Sequence, residues 1–151
     1  LPAGPLREGR WRLAKADVVL SNGDLKESPL AQYSHGSFVL QASTPQPLLT
    51  NNPLLAPDIA VQLVSGIGNP QRFLHTVQQL GYRIAGTHWF ADHHPFTEGD
   101  LAEIPTPLLM TEKDAVKCRS FAKPGWYSLP VQAVLPSEVE TFIIERVKAL
   151  K

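Results

Sequence analysis

The chain has 151 residues, 43% of them apolar and 19% charged, which fits a folded domain with a real core and excludes a disordered tail. Fourteen Lys and Arg balance fourteen Asp and Glu, so no basic excess argues for nucleic acid as a partner. Cys118 is the only cysteine; that excludes an internal disulfide framework and suits a reduced, cytoplasmic setting. No apolar run approaches the ~20 residues that span a bilayer, and no signal-peptide pattern opens the chain. Membrane contact is therefore expected to be peripheral, or to come from a part outside this chain.

Residue 1 is Leu and the only methionine is Met110, so the sequence reads as a piece of a longer protein. Residues 1–8, LPAGPLRE, read as a connector from something upstream, and residues 9–151 as one domain. The spacing predicts a short helix over 8–15, a strand over 17–20 ending in the turn Ser21-Asn22-Gly23, and a second strand over 37–41. Four prolines between Ser43 and Pro57 predict a loop. From Ile59 onward the pattern is regular. A buried strand over 59–64 runs into Gly66-Ile67-Gly68-Asn69, and Asn69 with Pro70 suits the start of a helix over 70–80 that Gly81 stops. A strand over 82–87, a loop over 88–95 and a short helix over 97–104 follow. A strand over 108–110 leads to a helix over 112–119 capped by Thr111, and then to a strand over 125–129. Ser137 and Glu140 have the spacing of a capping box for a last helix with Val139, Phe142, Ile143, Val147 and Leu150 on its apolar face. Strands alternating with helices predict an α/β fold, a three-layer α/β/α sandwich with a mostly parallel sheet.

Ligands of open α/β sheets bind beyond the carboxyl ends of the strands. Three such ends carry unusual residues and should share one edge: Gly66 to Arg72, His88 to Pro95, and Thr111 to Asp114. Glycines at 66 and 68 could let backbone amides approach a phosphate, or serve only a tight turn. They form neither G-x-G-x-x-G nor a Walker A loop, and no Walker A sequence occurs in the chain. Asp92-His93-His94 is the strongest local signal. A loop histidine titrates near neutral pH and can move a proton or bind metal, and a flanking carboxylate can orient it. A pair of solvated histidines is the bland reading. His35 and His75 read as structural. Lys113 or Lys117 could reach a phosphate, or the segment could be only a charged helix start, and Cys118 reads as packing.

In family order, LPAGPLRE, Ser21-Asn22-Gly23, the stretch from Gly66 to Phe73, Gly86-Thr87-His88, FADHHPF (90–96) and LMTEKDAVKC (109–118) resemble the tetraacyldisaccharide 4'-kinases. The resemblance covers almost the whole chain. It implies a kinase that phosphorylates the 4' position of a lipid A disaccharide precursor with ATP and Mg²⁺, at the cytoplasmic face of the bacterial inner membrane. It also implies two α/β/α domains joined by a short β-linker. The phosphate loop, the acidic metal ligands and the aspartate base belong to an N-terminal domain that this sequence does not include. The piece alone is then expected to be inactive, with no cofactor tightly bound and no metal site of its own. By the same resemblance His93 pairs with the absent aspartate and Asp92 supports it. Arg7, Glu8 and Asn22 match positions near the substrate and nucleotide cleft. Gly66, Gly68, Asn69, Arg72, His94, Thr111, Glu112 and Lys113 face the same crevice. Partners are the missing domain and the lipid disaccharide. Two alternatives stand beside this reading. One is a metal-dependent phosphoesterase of the type named for its Asp-His-His motif, although only Asp17, Asp24 and Asp58 precede Asp92 and none forms an Asp-x-Asp pair. The other is a non-catalytic binding module.

Overall fold

The computed structural model describes residues 10–23, 25 and 27–150. The predicted connector, with Arg7 and Glu8, lies outside them, as does Asp24. A 3-10 turn at Arg10–Lys15 precedes β1 (Leu20–Asn22), a second at Ala31–Tyr33 precedes β2 (Gly36–Ala42), and β3 is Gln46–Pro47. Then come β4 (Ala60–Ser65), α1 (Pro70–Gln79), β5 (Arg83–Trp89), α2 (Glu98–Leu101), β6 (Leu108–Thr111) and α3 (Glu112–Cys118). A 3-10 turn at Arg119–Phe121, β7 (Trp126–Leu129), β8 (Val131–Val134) and α4 (Ser137–Ala149) complete the chain. Two compact units result, one Ala42–Gln132 and the other the described parts of Leu1–Gln41 and Ala133–Lys151.

The Ala42–Gln132 unit is built on a five-stranded sheet of order β3-β7-β6-β4-β5, parallel throughout except for β3. Side chains alternate across a strand, and here the alternation divides the core in two. Val61 and Leu63 of β4, Leu109 of β6, and Tyr127 and Leu129 of β7 pack with Phe73 and Val77 of α1. Val64, Leu108, Met110 and Trp126 point the other way and pack with Leu101 of α2 and Ala115 and Cys118 of α3. The sheet therefore carries helices on both faces, the expected α/β/α layering. Leu109 sits on a central strand with 0% exposure. Leu109→Ala should cost about 2–5 kcal/mol, read as a lower urea midpoint in equilibrium unfolding.

Helix α1 follows its sequence signals closely. Asn69 caps it by accepting the Arg72 amide, Pro70 occupies its first turn, and Gly81 takes a left-handed φ of +86° just past its end. Other elements differ from expectation. Strand β5 runs two residues further, because His88 and Trp89 pair with Val64 and Ser65. Strand β3 falls where a loop was expected, and β8 was not predicted. Pro47 lacks an amide donor but is tolerated because β3 is an edge strand. Helix α2 is a single turn, held by a capping box in which Thr97 Oγ accepts from the Asp100 amide and Asp100 accepts from the Thr97 amide.

In the second unit β1 pairs in parallel with β2, Leu20 opposite Gly36 and Asn22 opposite Phe38, and β8 borders β2 on its other side. Ser21 and Asn22 lie in the strand rather than in a turn, which starts at Gly23 with φ +91°. His35 is structural, accepting the Val19 amide on Nδ1 at 3.1 Å. The capping box expected at Ser137 does not form. Ser137 is already helical and Pro136 precedes it with no side-chain bond. Of the apolar row on α4 only Val139 is buried, while Phe142, Ile143, Val147 and Leu150 are exposed. The Arg146 guanidinium binds the Asp17 carboxylate, holding it below the usual carboxylate range.

Candidate functional site

Strand order places a topological switch between β4 and β6. From β4 the chain leaves through α1 toward β5, and from β6 it leaves through α3 toward β7, on the opposite face and in the opposite direction. A crevice opens beyond the carboxyl ends of two such strands. All three segments singled out by sequence meet at this edge. The Phe90 amide donates to Ser65 O at 2.9 Å and the His93 amide to Gly66 O at 3.0 Å, tying the loop after β5 to the turn after β4. Asp114, in the first turn of α3, accepts the Gly66 amide on Oδ2 at 3.0 Å.

These bonds change the meaning of the glycines. The Gly66 amide is already engaged by Asp114, so it is not a phosphate donor in this arrangement. A Cβ at position 66 would meet Ala91 O and Phe96 Cε2 at 3.2 Å and His94 Cβ at 3.3 Å. Glycine there is a packing requirement of the loop. Position 68 is roomier: a Cβ would lie 3.6 Å from Asp92 Oδ2.

Asp92 organises the loop. Its Oδ1 accepts the His93 amide at 3.0 Å and lies 3.3 Å from Lys113 Nζ, and its Oδ2 lies 3.7 Å from His93 Nε2. The hydrogen bond from Lys113 is the main reason its carboxyl titrates below the ordinary carboxylate value. Asp92 therefore stays ionised at neutral pH, and what that adds to stability is lost as pH falls below the ordinary carboxylate range. His93 takes a left-handed φ of 62°, a conformation that costs a side-chain-bearing residue energy. Its imidazole is 75% exposed. The pair thus presents a carboxylate-backed imidazole outward from the sheet edge, a group able to accept or donate a proton.

His94 points elsewhere. Its ring packs between Phe90 and Phe96, at 4.8 and 4.9 Å between centroids, with Nε2 3.2 Å from Asp100 Oδ2. Glu112 also turns away, its Oε2 accepting the Val131 amide at 3.1 Å. Thr111 caps α3, while Asn69 and Arg72 belong to the start of α1. Asn22 belongs to the other unit, at the end of β1. Cys118 is fully buried and its thiol is pushed up to about 11, chiefly by burial and then by the Asp114 charge, so it packs and does not attack. Among the described residues, no three His, Cys, Asp or Glu side chains converge as metal ligands. No helix among them is long and apolar enough to cross a membrane.

The family profile for LpxK, tetraacyldisaccharide-1-P 4'-kinase, matches residues 1–148. The chain belongs to the tetraacyldisaccharide 4'-kinase family. A tetraacyldisaccharide 4'-kinase of Shewanella frigidimarina is 44% identical over 98% of the chain, and one of Colwellia psychrerythraea is 41% identical over 97%. The chain spans only 44% and 45% of those relatives. The fold is similar to that of LpxK from Aquifex aeolicus, crystallised in complex with ATP, with a TM-score of 0.62 and 22% identity, covering 97% of this chain and 47% of that one. Membership of the 4'-kinase family does not favour the phosphoesterase alternative. Asp114 and Lys117 take parts in the loop that their sequence context did not show. Lys117 Nζ binds Asp114 Oδ1 at 2.9 Å and His94 O at 3.0 Å, so it is committed to the loop rather than held ready for a phosphate. Thr111 and Asp114 have the Thr-x-x-acid spacing of a helix start, and that spacing concealed a tertiary role.

Proposed function

We propose that this chain is the C-terminal part of a kinase that transfers the γ-phosphate of ATP to the 4' position of a tetraacyldisaccharide lipid A precursor. The protein would act peripherally, at the cytoplasmic face of the bacterial inner membrane. The family match across residues 1–148 carries this reading. The exposed, carboxylate-backed His93 at the switch-point edge supports it. Residues 1–8 would connect to an N-terminal domain holding the phosphate loop, the metal ligands and an aspartate base. His93 would meet that base when the two domains close, with Asp92 fixing its orientation. Arg7, Glu8 and Asn22 would lie near the substrate and nucleotide cleft.

Among the described residues no donor set makes a magnesium site; in this reading Mg²⁺ would be held by the N-terminal domain, and no step is routed through it. What the chain supplies is placement of one imidazole. Phosphoryl transfer depends mainly on positioning and charge stabilisation, and a group brought by a second domain completes a site only on closure. The test is transfer of labelled γ-phosphate from ATP to tetraacyldisaccharide 1-phosphate by the full-length protein, with the product mapped by mass and NMR. Label on the 4' oxygen is expected. Label elsewhere, or none, would overturn the reading.

A further inference from the structure

We propose that Asp114 and Lys117 form a positioning pair that sets His93 from both sides of its backbone, so that the pair controls turnover through the placement of that imidazole. The proposal rests on the kinase reading above for its effect on rate, but not for its effect on geometry.

Asp114 is 0% exposed. A buried carboxylate is costly unless paired and hydrogen-bonded, and this one is fully engaged. Oδ2 accepts the Gly66 amide at 3.0 Å and the Thr111 hydroxyl at 2.8 Å, and Oδ1 accepts Lys117 Nζ at 2.9 Å. Two bonded paths then lead from the pair to the loop. On one, the Gly66 amide is held by Asp114 and the Gly66 carbonyl accepts the His93 amide at 3.0 Å. On the other, Lys117 Nζ donates to the His94 carbonyl at 3.0 Å and lies 5.4 Å from the Phe96 ring centre. His93 lies between these two anchors with φ 62°. A left-handed, side-chain-bearing residue persists only where its surroundings over-determine it. The charged pair contributes to that constraint from both flanks of His93, alongside Asp92 Oδ1, which shares the His93 amide with the Gly66 carbonyl. Neither residue touches the imidazole, so neither is a catalytic residue.

The experiment uses the full-length protein. Lys117→Met alone leaves the Asp114 charge buried without its partner and risks unfolding. The double variant Asp114→Asn/Lys117→Met removes both charges. It keeps an acceptor oxygen for the Gly66 amide while losing the tie to His94. Turnover, KM for ATP, melting temperature and the NMR signals of the His93 imidazole are measured together. The double variant is expected to stay folded with kcat lowered about 10²-fold, KM for ATP little changed and the His93 signals displaced. Lys117→Arg, which keeps the cation, should recover most of the turnover. A folded double variant with wild-type turnover, or with lowered turnover but unmoved His93 signals, would overturn the proposal. If the double variant does not fold, Asp114→Asn/Lys117→Gln, which also removes both charges and keeps a polar group at 117, is judged by the same readouts. If the wild-type protein transfers no phosphate, the kinase reading fails, and displacement or constancy of the His93 signals still decides the positioning role.

Discussion

The 151-residue chain by itself is expected to transfer no phosphate from ATP to the lipid disaccharide. The reason is chemical. A phosphoryl group moves when a phosphate-binding loop, a cation and an oriented acceptor hold it in line. The sequence contains no G-x-x-x-x-G-K-[ST], and among the described residues no cluster of His, Cys, Asp or Glu can hold a divalent ion. Of the glycine-turn amides that sequence offered to a phosphate, that of Gly66 is already bonded to Asp114. What remains is an imidazole with no acceptor to act on. Label transfer is measured with ATP and magnesium in excess and the full-length protein run beside it. Signal at the background of a no-protein control is expected, and transfer above it would show that this half holds a complete site.

In the full-length protein, His93→Ala should lower turnover by about 10²–10⁴-fold, the usual contribution of a positioned acid–base group. Stability should change within roughly 1 kcal/mol, because the imidazole is 75% exposed and its near neighbour is the Asp92 carboxylate at 3.7 Å. His94→Ala should behave in the reverse way. Its ring is packed against Phe90 and Phe96, and aromatic contacts of this kind contribute about 0.5–1.5 kcal/mol each. A lower melting temperature with a smaller loss of turnover is expected there. Steady-state kinetics with thermal unfolding in parallel separate the two histidines. If His93→Ala unfolds the protein, or turns over normally, the loop is only structural.

At the starts of α2, α3 and α4 the sequence has the Ser/Thr-x-x-acid spacing of a capped helix, and the fold uses each differently. Thr97 and Asp100 make the reciprocal box. Thr111 and Asp114 make half of it, the carboxylate being taken by Gly66, 48 residues away. Ser137 and Glu140 make none, because Pro136 occupies the cap position. Local chemistry proposes a cap, and tertiary partners decide whether it forms. For the same reason α1 was legible to within one residue, since Asn69, Pro70 and Gly81 act within their own segment. The edge strand β3 was not legible, because its pairing with β7 depends on residues far along the chain. At the site, sequence placed the three segments on one edge. It could not show the left-handed backbone of His93 or the burial of Asp114. Both residues are bonded through Gly66, which accepts the His93 amide and donates to Asp114, a tertiary link that alternation and spacing do not encode.

The most direct test of His93 as the working group is chemical rescue in the full-length protein. His93→Gly removes the imidazole and suits the left-handed backbone, and the exposure of position 93 leaves room for a small molecule. Added imidazole should raise the turnover of His93→Gly several-fold, with saturation, and should leave wild type and His94→Ala unchanged. Turnover of His93→Gly close to wild type without imidazole, or an equal response from all three proteins, would contradict the account.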